Sequence, residues 1–170
     1  SKIHIVLLVA FDPETFDVID AIWREDEDYE GYTTLIRNVL QKLKNQKIKG
    51  IYGDGDSSLI SALKKYLPIT PFQLCIVHKS IRMQQTIPLK NAVRNRYIPK
   101  ETKEEFLTFA KLFKDTLYAA SKEESLKNLT TLLHWTAKHP REKFQTAVNQ
   151  LKRNFKYTLT HFDHNDMQRD

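Results

Sequence analysis

The sequence predicts an α/β domain built on a mixed sheet, followed by an all-helical segment. Three observations predict this. Apolar runs of strand length alternate with apolar stripes of helical spacing through the first half of the chain. A tight Gly53-Asp54-Gly55 turn separates one such run from a helical stripe. Beyond residue 100 every stripe has helical spacing.

Residues 3–11 form an apolar, β-rich run with Pro13 just beyond it. Phe16, Val18, Ala21 and Trp23 belong to a second strand, and the short link from Asp12 to Thr15 makes the two a hairpin. Asp26 to Asp28 offers a helix start ahead of Tyr29, Tyr32, Leu35, Ile36, Val39, Leu40 and Leu43. Residues 48–52 are a third strand, stopped at the glycine turn. Asp56 or Ser57 caps a helix whose apolar face is Leu59, Ile60, Leu63 and Leu67, ended by Pro68 and Pro71. Residues 72–77 read as a fourth strand running into His78. Strands separated by helices pair in parallel through right-handed crossovers, so a leading hairpin beside them gives a mixed sheet.

From Lys79 to Pro99 the chain is basic and irregular. Thr102 with Glu105, and Ser121 with Glu124, are capping-box patterns that open two amphipathic helices. Pro140 opens a third, through Phe144, Val148, Leu151 and Phe155. The division expected from this is a core over residues 1–98 and a helical segment over residues 99–170.

With 41% hydrophobic and 28% charged residues, the composition is that of a folded globular chain and excludes disordered and collagen-like classes. No apolar run approaches membrane-spanning length, and the first residues lack a secretory-signal pattern. A single cysteine, Cys75, precludes an internal disulfide. The net charge of +6 favours anionic partners. Its distribution says more: no acidic residue lies between Asp56 and Glu101, a stretch that holds Lys64, Lys65, Lys79, Arg82, Lys90, Arg94, Arg96 and Lys100. The plain alternative for such a stretch is a solvated face.

Two local features could carry chemistry. Asp54 sits at the carboxyl end of an expected parallel strand, on a glycine turn ahead of a helix, where ligands of open α/β sheets gather. An aspartate there can offer oxygen to a hard cation such as Mg²⁺, although Asp54 and Asp56 could equally make turn and cap hydrogen bonds. The second feature is Gln73-Leu74-Cys75-Ile76-Val77-His78. In a strand, Cys75 and His78 point to opposite faces, which argues against a zinc pair and for a buried thiol. His161, Asp163 and His164 are conceivable further ligands.

Together these features resemble the catalytic core of Mutator-like transposases and their insertion-sequence relatives. The matching pieces are Asp54-Gly55, then Ser58-Leu59-Ile60-Ser61-Ala62-Leu63, Pro68, and Gln73-x-Cys75-x-x-His78-Lys79 with Arg82. The resemblance spans His4 to Arg82; the helical remainder is similar in type to that family's insertion. It implies an RNase H-like mixed sheet bearing two aspartates and a glutamate, with Asp54 as the second aspartate and a metal ligand. The first strand with its aspartate, and the final glutamate, are expected outside this stretch of sequence; Asp12 is the runner-up for the first. The implied chemistry is DNA cleavage and strand transfer, in-line displacements at phosphorus assisted by Mg²⁺ or Mn²⁺ held by three carboxylates. This stretch alone is expected to hold the ions weakly and to be inactive. Lys79, Arg82, Lys90, Arg94 and Arg96 become expected DNA contacts, and Cys75 with His78 a structural motif. Transposon ends and target DNA are the expected partners, with a homo-oligomer at full length and no membrane. The expected location is the cytoplasm or nucleoid of a prokaryote, or a nucleus. Two other classes are open: a non-catalytic RNase H-like module that binds nucleic acid or protein, and a phosphate-acceptor domain with Asp54 as nucleophile.

Overall fold

A computed structural model describes residues 4–44, 46–165 and 167, without the side chains of residues 91 and 93. The chain divides into two compact units, Ser1–Phe72 and Gln73–Asp170. The division expected after residue 98 falls inside the second unit.

In the first unit, β1 (Val6–Phe11) and β2 (Val18–Arg24) form the expected antiparallel hairpin, with Leu7 opposite Trp23 and Val9 opposite Ala21. The expected start of β1 at residue 3 lies outside the described residues. Asp12 closes the turn: its Oδ1 accepts the Glu14 N–H at 2.9 Å and its carbonyl accepts the Phe16 N–H at 2.8 Å. The register shifts between Ala10 and Phe11, a bulge that bends the hairpin near its turn. Helix α1 (Tyr29–Leu43) starts where the sequence places it, with Asp28 accepting the Gly31 N–H at 2.7 Å. It packs on the hairpin face that carries Leu8, and Leu35 and Ile36 are buried with it. Gly31 permits the approach, because a Cβ there would meet Leu8 Cδ1 at 3.0 Å. Asn38 and Lys42 fix the helix from its far end, each donating to the Asp20 carboxylate at 2.8 Å.

Strand β3 (Ile51–Gly53) leads into helix α2 (Ser57–Tyr66), which packs on α1. Strand β4 is short, Phe72–Leu74. Among the described residues the four strands form two separate ladders, β1 with β2 and β3 with β4, and not the single mixed sheet expected. The mixed α/β class holds, in a chain that is mostly helical. One cause is the brevity of β3 and β4, three residues each, too short for long pairing.

The expected strand over residues 72–77 is corrected: it stops at Leu74, and Ile76, Val77 and His78 open helix α3 (Ile76–Thr86). The reason is helical burial, since Ile76, Lys79, Ser80, Met83 and Ile87 are buried while Val77 and Ile81 are exposed. After α3 come α4 (Leu89–Arg94), α5 (Lys100–Leu117), α6 (Lys122–Lys138), α7 (Glu142–Lys152), a 3-10 turn (Phe155–Leu159) and α8 (Thr160–Asp163). Every element from residue 100 on is helical, as the sequence predicts. Helix α3 packs on α7, and α5 on α6. Their shared core is aromatic: the Phe109 and Phe144 rings stack at 4.6 Å, and Phe106 meets Phe144 edge-on at 5.6 Å.

Ser121 caps α6 as expected, with Oγ accepting the Glu124 N–H at 3.1 Å. The Glu124 carboxylate reaches back one residue further than a standard capping box, to the Ala120 N–H at 2.7 Å. The Thr102 cap is corrected. Helix α5 already begins at Lys100 after Pro99, and Glu105 instead takes a hydrogen bond from Arg141, the residue ahead of α7.

The fully buried Gln73 amide ties this unit together. Its Nε2 donates to the Leu74 carbonyl at 2.9 Å and to the Thr158 carbonyl at 3.2 Å, and its Oε1 accepts the His161 N–H at 2.9 Å. Replacing Gln73 by Leu strands those groups in the interior. The expected loss is roughly 1–3 kcal/mol of stability, read as a lower urea midpoint at unchanged m-value.

Candidate functional site

Asp54 follows the last residue of β3 and precedes the cap of α2, so a strand end, a turn and a helix start fix its position. It is half-buried, and its Oδ1 accepts the Asp56 N–H at 3.0 Å. Asp56 turns the other way: its Oδ1 accepts the Ser58 N–H at 2.7 Å and the Leu59 N–H at 3.2 Å. The two aspartates therefore divide the work, Asp56 capping the helix and Asp54 shaping the turn. Gly55 between them has φ 87°, a left-handed conformation costly for any residue with a Cβ. Gly53 is also constrained, because a Cβ there would lie 2.7 Å from Leu59 Cδ2 and 3.1 Å from Phe72 Cε2.

A residue read from the sequence only as core belongs to this neighbourhood. Tyr32 on α1 is buried, and its phenol is held above its ordinary range, first by burial and then by the charges of Glu27, Asp54 and Asp56. Helical periodicity marked Tyr32 as inward-facing, but nothing local in sequence could report which charges meet it. Hard oxygen donors of this kind suit Mg²⁺ in type. In number they fall short: among the described residues no group of three His, Cys, Asp or Glu side chains is placed to hold a metal ion. Asp12, the runner-up for a first aspartate, is a turn residue of the hairpin.

The expected nucleic-acid contacts lie in the second unit, and one needs correction. Lys79 is buried, with Nζ donating to the carbonyls of Gln150 and Arg153 at the C-terminal end of α7. Those carbonyls carry the negative end of the helix dipole, and the lysine satisfies them. Its ammonium is committed to the interior rather than to the exposed surface where a phosphate contact was expected. Arg82 lies exposed on α3, Lys90 and Arg94 exposed on α4, and Arg96 exposed in the loop beyond. Cys75 is the N-cap residue of α3 and is half-buried, while His78 lies exposed in the first helical turn. The opposed-face argument from a strand is overturned, because both residues belong to one helix start.

Two predictions follow from this geometry. Asp56→Ala is expected to cost about 1 kcal/mol through loss of the cap, and Asp56→Asn almost nothing; paired thermal melts separate them, and equal losses would contradict the capping role. Burial, reinforced by Arg82 and Arg153, lowers the Lys79 ammonium from 10.5 to about 8. Below that range both folded and unfolded chains keep the proton. Between about pH 8 and 10.5 the unfolded chain binds more protons, so this group makes stability rise with pH. Lys79→Met is expected to flatten that rise in denaturant titrations across the window. No protein-family model matches the chain, and no curated protein matches it.

Proposed function

We propose that the chain is the central part of an RNase H-like catalytic domain of a DNA transposase, with Asp54 as one catalytic, metal-binding carboxylate. The observation that carries this reading is the setting of Asp54. A half-buried carboxylate stands one residue past a strand, on a turn where Gly55 takes a left-handed conformation, directly ahead of a capped helix. The element order supports it: hairpin, helix, strand, helix, strand, then a helical unit. The reading requires a further strand that joins the two ladders into a single mixed sheet.

The reaction class is cleavage and joining of phosphodiesters in transposon and target DNA. Three carboxylates holding Mg²⁺ or Mn²⁺ are needed for it, and the resemblance assigns two of them to sequence outside this stretch. The exposed Arg82, Lys90, Arg94 and Arg96 are the contacts assigned to DNA phosphates, and such contacts dominate affinity. The full-length protein acts as a homo-oligomer in this reading, in a nucleoid-bearing cytoplasm or a nucleus. Among the described residues no helix is long and apolar enough to cross a membrane. A non-catalytic module is the second reading, favoured by the use of Asp54 Oδ1 within the turn itself.

The test is Asp54→Asn in the full-length protein with Mg²⁺ or Mn²⁺ and a labelled transposon end. Strand transfer is expected to fall to background while DNA binding and thermal stability stay near wild type. Asp56→Asn is expected to retain most of the activity. Full strand transfer in Asp54→Asn would sink the catalytic assignment, and no strand transfer by the parent protein would favour the non-catalytic module.

A further inference from the structure

The loop between α4 and α5 presents an aromatic ring in an unusual setting. Tyr97 is 82% exposed, at the end of the exposed run 94–97. Ala92 on one side is buried, and Ile98 on the other packs against the aromatic core of the helical unit. Between them the chain makes a defined turn: Asn95 Oδ1 accepts the Tyr97 N–H at 2.9 Å, and the Asn95 carbonyl accepts the Ile98 N–H at 3.2 Å. An Asx turn of this kind sets the backbone direction and points Tyr97 outward from a fixed base. A lone exposed tyrosine is ordinary. This one stands among cations.

The Arg96 guanidinium lies 5.4 Å from the Tyr97 ring centroid. Lys90, Arg94, Arg96 and Lys100 are all exposed, in a stretch from residue 57 to residue 100 that holds no acidic side chain. Lys100 makes a loose pair with Glu104 at 3.7 Å, whereas Arg94 and Arg96 form no ion pair among the described residues. A polyanion is the complementary partner for these arginines. A flat ring beside them adds what phosphate contacts lack, a surface on which an unpaired base can stack.

We propose that Tyr97, with Arg96 against its ring and the exposed Arg94 and Lys90 on the helix just before it, is a stacking site for an unpaired nucleobase of a single-stranded nucleic acid. The arginines hold the backbone and the ring takes the base. Duplex DNA gains only the electrostatic part, because its bases are stacked on one another. The inference rests on the nucleic-acid partner of the proposed function, but not on Asp54 or on catalysis.

The experiment measures binding of this chain to fluorescently labelled single-stranded DNA, single-stranded RNA and duplex DNA of one sequence, each over a series of salt concentrations. Tyr97→Ala is expected to weaken single-strand binding about tenfold, within the range for loss of one stacked base. Duplex binding and the salt slope stay unchanged. Tyr97→Phe keeps the wild-type affinity, since the stacking face is retained. Arg94→Gln with Arg96→Gln is expected to weaken all three ligands and to flatten the salt slope. The larger Tyr97→Ala loss, on DNA or on RNA, identifies the source of the base. An unchanged single-strand affinity in Tyr97→Ala, or equal losses on single strand and duplex, overturns the stacking site and leaves the Asp54 reading standing. No binding to any of the three ligands overturns the stacking site, whereas strand transfer that survives Asp54→Asn overturns only the catalytic assignment.

Discussion

One buried amide holds the two ends of the helical unit together. Gln73 is the middle residue of β4 and meets the Thr158 carbonyl and the His161 backbone from the far end of the chain. A buried amide must be satisfied, and partners at such sequence separation exist only when the whole unit has closed. The 3-10 turn and α8 are therefore positioned by a side chain that precedes them by most of the unit. Lys79 works in the same way on α7, one helical turn into α3. The stretch that carries the family resemblance from Gln73 to Lys79 is thus also the stretch that fastens α3 to the C-terminal helices.

This dual use decides how much could be read in advance. The hairpin, α1 with its Asp28 cap and α2 with its Asp56 cap were legible because their signals are local: alternation, spacing and a capping oxygen. The switch at Leu74 was not. Ile76 and Val77 are β-branched and follow a real strand, and a short apolar run cannot be assigned to strand or helix by periodicity alone. The deciding evidence lies further on, where Lys79, Ser80, Met83 and Ile87 continue the buried stripe. A lysine inside that stripe hid it, since charge ordinarily marks a solvent face.

The Thr102 pattern failed for a related reason. Pro99 is the cap residue directly ahead of Lys100, so the helix was already under way when the threonine was reached. Glu105 was left to pair with Arg141 across to the start of α7. For the candidate site, the position of Asp54 was legible from its glycines. The charges that hold the buried Tyr32 phenol above its ordinary range, after burial itself, were not, because they come from residues distant in sequence. A tertiary relation of that sort leaves no mark in spacing.

The hairpin has two faces of similar chemistry and opposite fates. Leu8 is buried under α1, while Leu7, Val9, Phe11, Val18 and Trp23 remain open to water. A broad apolar face beside an unfinished sheet edge is a sticky surface. Its strength depends on the solvent in the opposite sense to that of the arginine-rich loop. Strongly hydrated salts such as sulfate reinforce contact between apolar faces, whereas salt of any kind weakens contact with phosphate. Ionic strength thus acts on the two surfaces in opposite senses. Dilute buffer strengthens contact between exposed arginines and any polyanion, and concentrated sulfate strengthens contact between exposed apolar side chains such as those of the hairpin.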